Sequence, residues 1–538
     1  MAKVKITGHA SGSGVFTITA PNSNTDQTLT LPDGTSTLLT SADVVATQLT
    51  ATSNIGLGSG AVDSITTGDY NVGLGDNAGT AITSGSENTA VGFNSLLTNT
   101  TGTSNVSVGL ESLKLNTTGA SNTSIGHSAL QANTTASNNT AVGKSALQAN
   151  TTGASNTAVG YQALDANTTG ADNTALGAYA LTRATTASYN TAVGNVALQS
   201  VTTGASNTAV GYLSLEANTT AHSNTAIGTK SLAANTTGEE NTAVGEFALF
   251  TNTTAGNNTA IGKAALKLNT TGAANVAVGY QALDANTTAS NIVAVGSYSL
   301  SANTTGADNT AIGDSAMLVN TTGSHNTAVG GQALDANTTG TQNTAVGRLA
   351  LTANTTGNSN TSVGYNSGKG LTTGAANTTL GEGSGQSHST GNYCTSLGYG
   401  AQPSSNTTSG QFTLGDANVS NLRCNDTSLG SLSDQRDKTE IIDSPYGLAF
   451  INTVQPRQFK WDTRDGNVKD GSTRVGFIAQ ELLTACDGDN AVLDLVLDDN
   501  LEKLEAKYGN LLPIMVKAIQ ELSTKNDALE ARITALES

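Results

Sequence analysis

Aromatic residues are scarce in this 538-residue chain: 8 Phe, 12 Tyr and 1 Trp make up 4% of it. That is too few to fill the cores of a set of ordinary globular domains. Basic charge is short as well, with 23 Lys and Arg against 40 Asp and Glu and a net charge of −17. No nucleic acid partner is expected, because phosphate binding requires clustered Lys and Arg; the acidity serves solubility. The three cysteines, Cys394, Cys424 and Cys486, are too scattered for a disulfide framework or a zinc site. The five histidines, His9, His127, His222, His325 and His388, share no metal-ligand spacing and read as substitutions on a repeat surface. No cofactor and no metal are expected. The opening MAKVKITGHASGSG has no apolar segment of the kind a secretory signal carries. No stretch approaches the roughly 18 apolar residues of a membrane span, so no membrane insertion is expected and the chain is expected to fold in the cytoplasm.

What the chain has in abundance is one period. A glycine falls every 17 residues from Gly58 to Gly415, giving 22 glycines in one register. The residue before each is Val, Ile or Leu, and the third after it is Ala or Ser as far as Ala401. From 96 to 351 the fourth after it is Leu, with Met317 the exception. The consensus N-T-A-V-G-x-x-A-L-x-x-N-T-T-G-x-x predicts a β-solenoid, mainly β in class, whose coils bury little alone and gain stability by stacking. TAVG suits a short strand. NTTG reads as a turn in which Asn and Gly take positive φ. The glycine column marks positive φ or close backbone approach. An Asn column four residues before the glycine, broken by Ile292, Cys394 and Gln411, predicts hydrogen-bonded side-chain ladders. One coil per repeat at about 4.8 Å implies a rod of about 100 Å.

These repeats resemble the head repeats of trimeric bacterial adhesins, which share an N-[ST]-x-[VI]-G core on a shorter period. That resemblance, over about 55–420, implies a left-handed parallel β-roll and a homotrimer. Other readings of the repeat are weaker. Asn-Thr-Thr matches the N-glycosylation sequon but reads as turn chemistry. An ice-binding Thr face would leave the C-terminal region unexplained.

Residues 1–50 differ from the repeats. FTIT and TLTL alternate around a Pro-Asp-Gly turn, as expected of a small β-structured cap or attachment piece. Regular repeats are expected over 51–364. An irregular end, with Gly368, Gly385 and Gln402 in the Leu column, is expected over 365–432. From about 421 charged residues, Trp461 and helical patterns appear. SDQRDKTEI at 433–441, FKW at 459–461, GFIAQEL at 476–482 and LLPIMVKAIQEL at 511–522 closely resemble, in order and spacing, the C-terminal intramolecular chaperone domain of phage tail spikes and fibres. This is the self-cleaving peptidase family that includes endosialidase tailspikes.

The resemblance implies a small α+β domain over 433–538 with a Ser/Lys dyad. Ser433 is the nucleophile and Lys438 the general base for cleavage of the Leu432–Ser433 bond, with Asp434 and Arg436 in support. The activity implied is endopeptidase in cis only. A Ser hydroxyl needs a neighbouring base, and Lys acts as one only when desolvation leaves it neutral; Asp434, Asp437 and Glu440 oppose that and Arg436 offsets one of them. The tail over 511–538 is a heptad. Leu512, Ile519, Asn526 and Ile533 stand at a, and Met515, Leu522, Leu529 and Leu536 at d. Lys525 and Arg532 can meet Glu530 and Glu537 across chains, and Asn526 fixes register.

The function implied is a phage tail fibre or spike subunit, assembled in the host cytoplasm and carried on the virion. Its expected partners are its own copies, a virion tail or baseplate protein at the N-terminus, and a host surface receptor, either glycan or outer-surface protein, met at 365–432. A surface adhesin using the same chaperone without a virion is the alternative.

Overall fold

The computed structural model describes the backbone of 5–8, 16–19 and 48–49 and residues 53–419, 433–460, 473–502 and 504–538. Cys424, Leu432, Trp461 and most of 1–50, including TLTL, lie outside the described residues. Two strands of the N-terminal segment, Lys5–Gly8 and Phe16–Thr19, pair antiparallel. The chain divides into two units, Met1–Gly331 and Gln332–Ser538.

The first unit is a parallel β-solenoid. Three-residue strands recur every 17 residues from Ile55–Leu57 to Thr327–Val329, and each pairs with the next in the same register, as in Thr157↔Thr174, Ala158↔Ala175 and Val159↔Leu176. The central residue of each strand, Ala in most coils and Gly56, Gly73, Ser107 or Ser124 in the others, points inward and is buried, while its flanking residues, mostly Thr and Val, face outward. The Leu column fills the interior beside the Ala/Ser column. The core is therefore thin, built from one Leu and a few small side chains per coil.

Asparagine supplies the rest. In the expected ladder, the backbone N–H and Nδ2 of Asn105 both donate to Asn88 Oδ1, at 3.1 and 3.0 Å, and Nδ2 also donates to the Gly119 carbonyl at 2.9 Å. The same three bonds recur at Asn122. A second ladder runs through the Asn of Asn-Thr-Thr. There Asn116 Nδ2 donates to Asn99 Oδ1 and to the Gly119 carbonyl, both at 2.8 Å. These asparagines are fully buried, so the sequon offers no accessible amide in the folded coil. Ala184 and Val201 interrupt the second ladder, and Asn167 Oδ1, one coil before Ala184, has no donor.

Positive φ is not where NTTG suggested. Neither its Asn nor its Gly adopts it; each coil instead places three other residues in the left-handed region, such as Asn138, Ser145 and Leu147 at 64°, 58° and 52°. Leu takes that strained conformation because it carries the side chain into the core, and the neighbouring coils hold it there. For the glycine column both expected reasons apply. Gly160 has φ 141°, and a Cβ on it would lie 2.5 Å from the carbonyl oxygen of Gly177 in the next coil.

The second unit opens with the same coil. Strands Thr344–Val346, Thr361–Val363, Thr378–Leu380, Thr395–Leu397 and Phe412–Leu414 pair in parallel register. Departure from the consensus after 365 is thus a matter of side chains. Gly368 and Gly385 hold the Leu position at φ 59° and 61°. Leu371 takes the second Asn position, and a Cβ on Gly368 would lie 3.2 Å from Leu371 Cδ1, so Leu371 fills the volume the missing Leu leaves. His388 corrects the surface reading of the histidines: it is buried, in the Asn column, with Nε2 donating to the Thr408 carbonyl at 3.0 Å.

The remainder of this unit is a small α+β domain. Strands Arg457–Lys460 and Thr473–Gly476 form an antiparallel pair. Helices α1 (Leu448–Ile451), α2 (Ala479–Ala485), α3 (Asn490–Leu493) and α4 (Leu511–Glu537) surround a core of Val454, Leu482, Cys486, Leu493, Leu495, Val496, Leu511 and Ile514.

Candidate functional site

The segment after Ser433 folds back on itself for a local reason. Asp434 is the N-cap of a 3₁₀ turn, Gln435–Asp437, and its carboxylate accepts from the Arg436 backbone N–H at 2.8 Å. The same carboxylate accepts from Arg436 Nε at 3.0 Å and from its terminal guanidinium nitrogen at 2.5 Å. The guanidinium holds the Asp434 carboxyl below its ordinary value, and Asp434 in turn raises Arg436. The Lys438 backbone N–H closes the turn on the Gln435 carbonyl at 3.2 Å. This reversal brings Lys438 Nζ to hydrogen-bond Ser433 Oγ.

All four residues named from the sequence therefore meet in one turn. Ser433 and Lys438 are both exposed, and no residue of 433–445 belongs to the domain core. A hydroxyl and an amine at bonding distance can exchange a proton, and the amine becomes a base once water is excluded. Leu432, on the acyl side of the expected scissile bond, lies outside the described residues.

The other motifs form the platform. Phe459 and Lys460 lie in the antiparallel pair. Phe477 packs edge-on against Tyr508 at 5.4 Å, and Leu482 is buried in the core. In α4 two faces diverge. Leu511, Ile514 and Ala518 are buried in the domain, and Glu521 accepts the Leu448 backbone N–H at the start of α1 at 2.8 Å. The heptad positions Leu512, Met515, Ile519, Leu522, Leu529, Ile533 and Leu536 are all exposed in the single chain.

Residues 433–493 match the model of a protein family described as the chaperone of endosialidase, and the match begins at Ser433. Over these residues the C-terminal domain is similar to the chaperone of endosialidase. No curated protein and no solved structure matches the chain. The chain thus joins a β-solenoid of 17-residue repeats to a C-terminal chaperone domain, the plan of a tail-spike-type protein.

One contact of the chaperone domain was not legible beforehand. Asp499 accepts from Ser404 Oγ and from Thr408 Oγ1, the latter at 2.7 Å. Asn500 Nδ2 donates to the Ser404 carbonyl at 3.0 Å. Burial pushes the Asp499 carboxyl up, but the hydroxyl bonds outweigh it and its value falls below the ordinary one. The partners stand 91 to 96 residues apart, and nothing periodic links them. The last coil before 419 is thus gripped by its own chaperone domain.

Proposed function

We propose that this chain is a subunit of a homotrimeric phage tail fibre or spike, and that its chaperone domain releases itself by cleaving before Ser433. The observation that carries the reading is the Lys438–Ser433 hydrogen bond at the first residue of the family match. In the reaction Lys438, neutral, takes the Ser433 Oγ proton as Oγ adds to the Leu432 carbonyl carbon. The C–N bond then breaks as the Ser433 nitrogen receives that proton, and water hydrolyses the resulting ester.

Trimerisation supplies what the single chain leaves undone. The exposed heptad stripe of α4 needs partner helices. The outward Val, Ile and Leu of the solenoid strands form a second unpartnered apolar column, with Ile125 and Ile227 40% exposed and Leu176 47% exposed. Closure of neighbouring subunits over the 433–438 turn excludes water from the dyad, so cleavage reports assembly. The N-terminal segment attaches to a virion tail or baseplate protein, and the mature fibre contacts the host surface.

Expression followed by intact mass tests this. Wild type yields fragments of 432 and 106 residues (538 − 432 = 106), the larger one migrating as a trimer, while Ser433→Ala and Lys438→Ala stay whole. A folded, trimeric wild type that stays whole overturns the cleavage. A monomeric wild type overturns the fibre.

A further inference from the structure

Two surface sites in the first unit are copies of each other, seven coils apart. Tyr161, Gln162, Asp165 and Tyr179 recur as Tyr280, Gln281, Asp284 and Tyr298, each 119 residues on. Tyrosine also follows the column glycine at Tyr212, Tyr365 and Tyr399, and the position is His127, Lys144, Ala178, Asn195, Thr229 or Glu246 in other coils; what occurs twice in the sequence is the combination of Tyr, Gln, Asp and a second Tyr one coil on. Geometry repeats with sequence. The Tyr161 and Tyr179 rings meet edge-on with centroids 5.3 Å apart at 88°, and those of Tyr280 and Tyr298 at 5.2 Å and 88°. Tyr161, Tyr280 and Tyr298 are exposed, and Tyr179 is half-buried.

Beside each ring pair lies a half-buried carboxylate. The side-chain bonds that Asp165 and Asp284 accept, from Gln162 and Gln281, are long at 3.3 and 3.4 Å, and a ligand hydroxyl can displace them; Asp284 also accepts from the backbone N–H groups of Asp284 and Ala285. Burial lifts both carboxyls above their ordinary value, a cost that a new hydrogen-bond donor repays. Lys144 Nζ lies 6.0 Å from the Tyr161 ring centroid, whereas the matching Lys263 is engaged with Glu246 at 2.9 Å; a cation is not part of the shared design. At the third Gln-Ala-Leu-Asp segment the aromatics are replaced by Gly331 and Leu349, and Asp335 accepts a short 2.6 Å bond from Thr352. Where the rings are present, the carboxylate's side-chain hydrogen bond is the long one.

An exposed aromatic face beside a carboxylate and an amide matches one ligand chemistry, a pyranose ring. Its apolar C–H face lies on the tyrosine, and its vicinal hydroxyls donate to Asp and accept from Gln. We propose that Tyr161–Gln162–Asp165–Tyr179 and Tyr280–Gln281–Asp284–Tyr298 are two equivalent saccharide-binding sites on the flank of the solenoid, about 34 Å apart at seven coils of about 4.8 Å. The proposal deepens the fibre reading by naming a ligand class, and it needs neither a virion nor self-cleavage.

Uncharged hexoses fit best, since an acidic sugar would meet Asp165 or Asp284. The purified full-length protein is titrated calorimetrically with maltohexaose, cellohexaose, mannohexaose and galactohexaose. The expected result is that at least one binds at two equivalents per chain, that Tyr161→Ala or Tyr280→Ala leaves one equivalent, and that the double variant binds none. The polysaccharide of the binding hexose should lose roughly 10²–10⁴-fold in avidity with either single variant. Absence of binding by all four hexaoses overturns the proposal, as does binding that survives the double variant. A double variant that no longer assembles like wild type also overturns it and makes the tyrosine pairs subunit contacts. Failure here leaves the fragment masses and the trimer untouched, so the two readings fall separately.

Discussion

The buried carboxamide oxygen of Asn167 lacks a donor because the residue that should supply the next rung is Ala184. An unsatisfied buried acceptor costs about 1–3 kcal/mol. Ala184→Asn alone would satisfy it but leave a new orphan facing Val201. Ala184→Asn with Val201→Asn carries the ladder through to Asn218. The double variant should gain about 1–2 kcal/mol and the single variant less, read as urea midpoints by circular dichroism. An unchanged midpoint in the double variant counts against the ladder as a source of stability.

The two glycine columns should respond unequally to one methyl group. Gly160→Ala meets a backbone carbonyl at 2.5 Å and a φ of 141°, a conformation costing about 1–3 kcal/mol before the clash is added. A Cβ on Gly170 would also crowd a backbone carbonyl, that of Ala187, but Ala136, Ala187, Ala221 and Ala255 already stand in its column, so the coil accommodates a methyl group there by a small shift and Gly170→Ala should cost less than Gly160→Ala. Thermal unfolding of the two variants side by side checks the ordering.

At Leu147, φ is 52° and the side chain is fully buried. Leu147→Ala loses packing, about 2–5 kcal/mol, and keeps the strained backbone. Leu147→Gly loses the same packing and relieves strain of about 1–2 kcal/mol. Glycine should therefore be no worse than alanine here, the reverse of the order in an ordinary helix or strand. Gly368 and Gly385 already occupy this position.

Burial holds the His388 imidazole below its ordinary value of 6.5. The unfolded chain then binds the proton first, so the stability of the last coils is complete above about pH 6.5 and is lost progressively as pH falls below it. Hydrogen exchange around 388–411 should accelerate toward acid. His388→Asn, which restores the column residue, should remove that dependence while leaving the neutral-pH rate near wild type.

The turn that carries Lys438 to Ser433 depends on Asp434. Asp434→Ala removes the cap and the Arg436 pair, a loss of about 1 kcal/mol or more, and should slow cleavage roughly tenfold. Asp434→Asn keeps an acceptor for the Arg436 backbone N–H and should slow it less. Equal rates in both variants would show that Asp434 acts through its charge alone.

The repeat was legible because its physics is local and repeated: the Gly column, the short TAVG strand and the first Asn ladder all follow from one coil read many times. Conformation within the coil was less legible. Leu147 sits at positive φ because packing between coils overrides its own preference, and the Asn of Asn-Thr-Thr looked like a turn residue because its partner lies 17 residues away. Ser433 and Lys438 follow from the resemblance of four motifs to a known domain, not from their spacing, and the structure brings them together because the capped turn between them is short. Asp499 and Ser404 could not be placed, because a contact between unlike segments leaves no periodic trace.

Three non-glycine residues per coil held at left-handed φ, over and over, make a single coil an unfavourable object on its own. Each becomes tolerable only when a neighbour already exists to clamp it, so starting the stack is costly and extending it is cheap. Such a polymer has a nucleation threshold: it forms slowly without a seed and, once complete, has no easy place to begin unravelling. The C-terminal domain, which fastens Asp499 and Asn500 onto Ser404 and Thr408, holds one coil in place from outside the stack, which is what a seed for such a polymer must do.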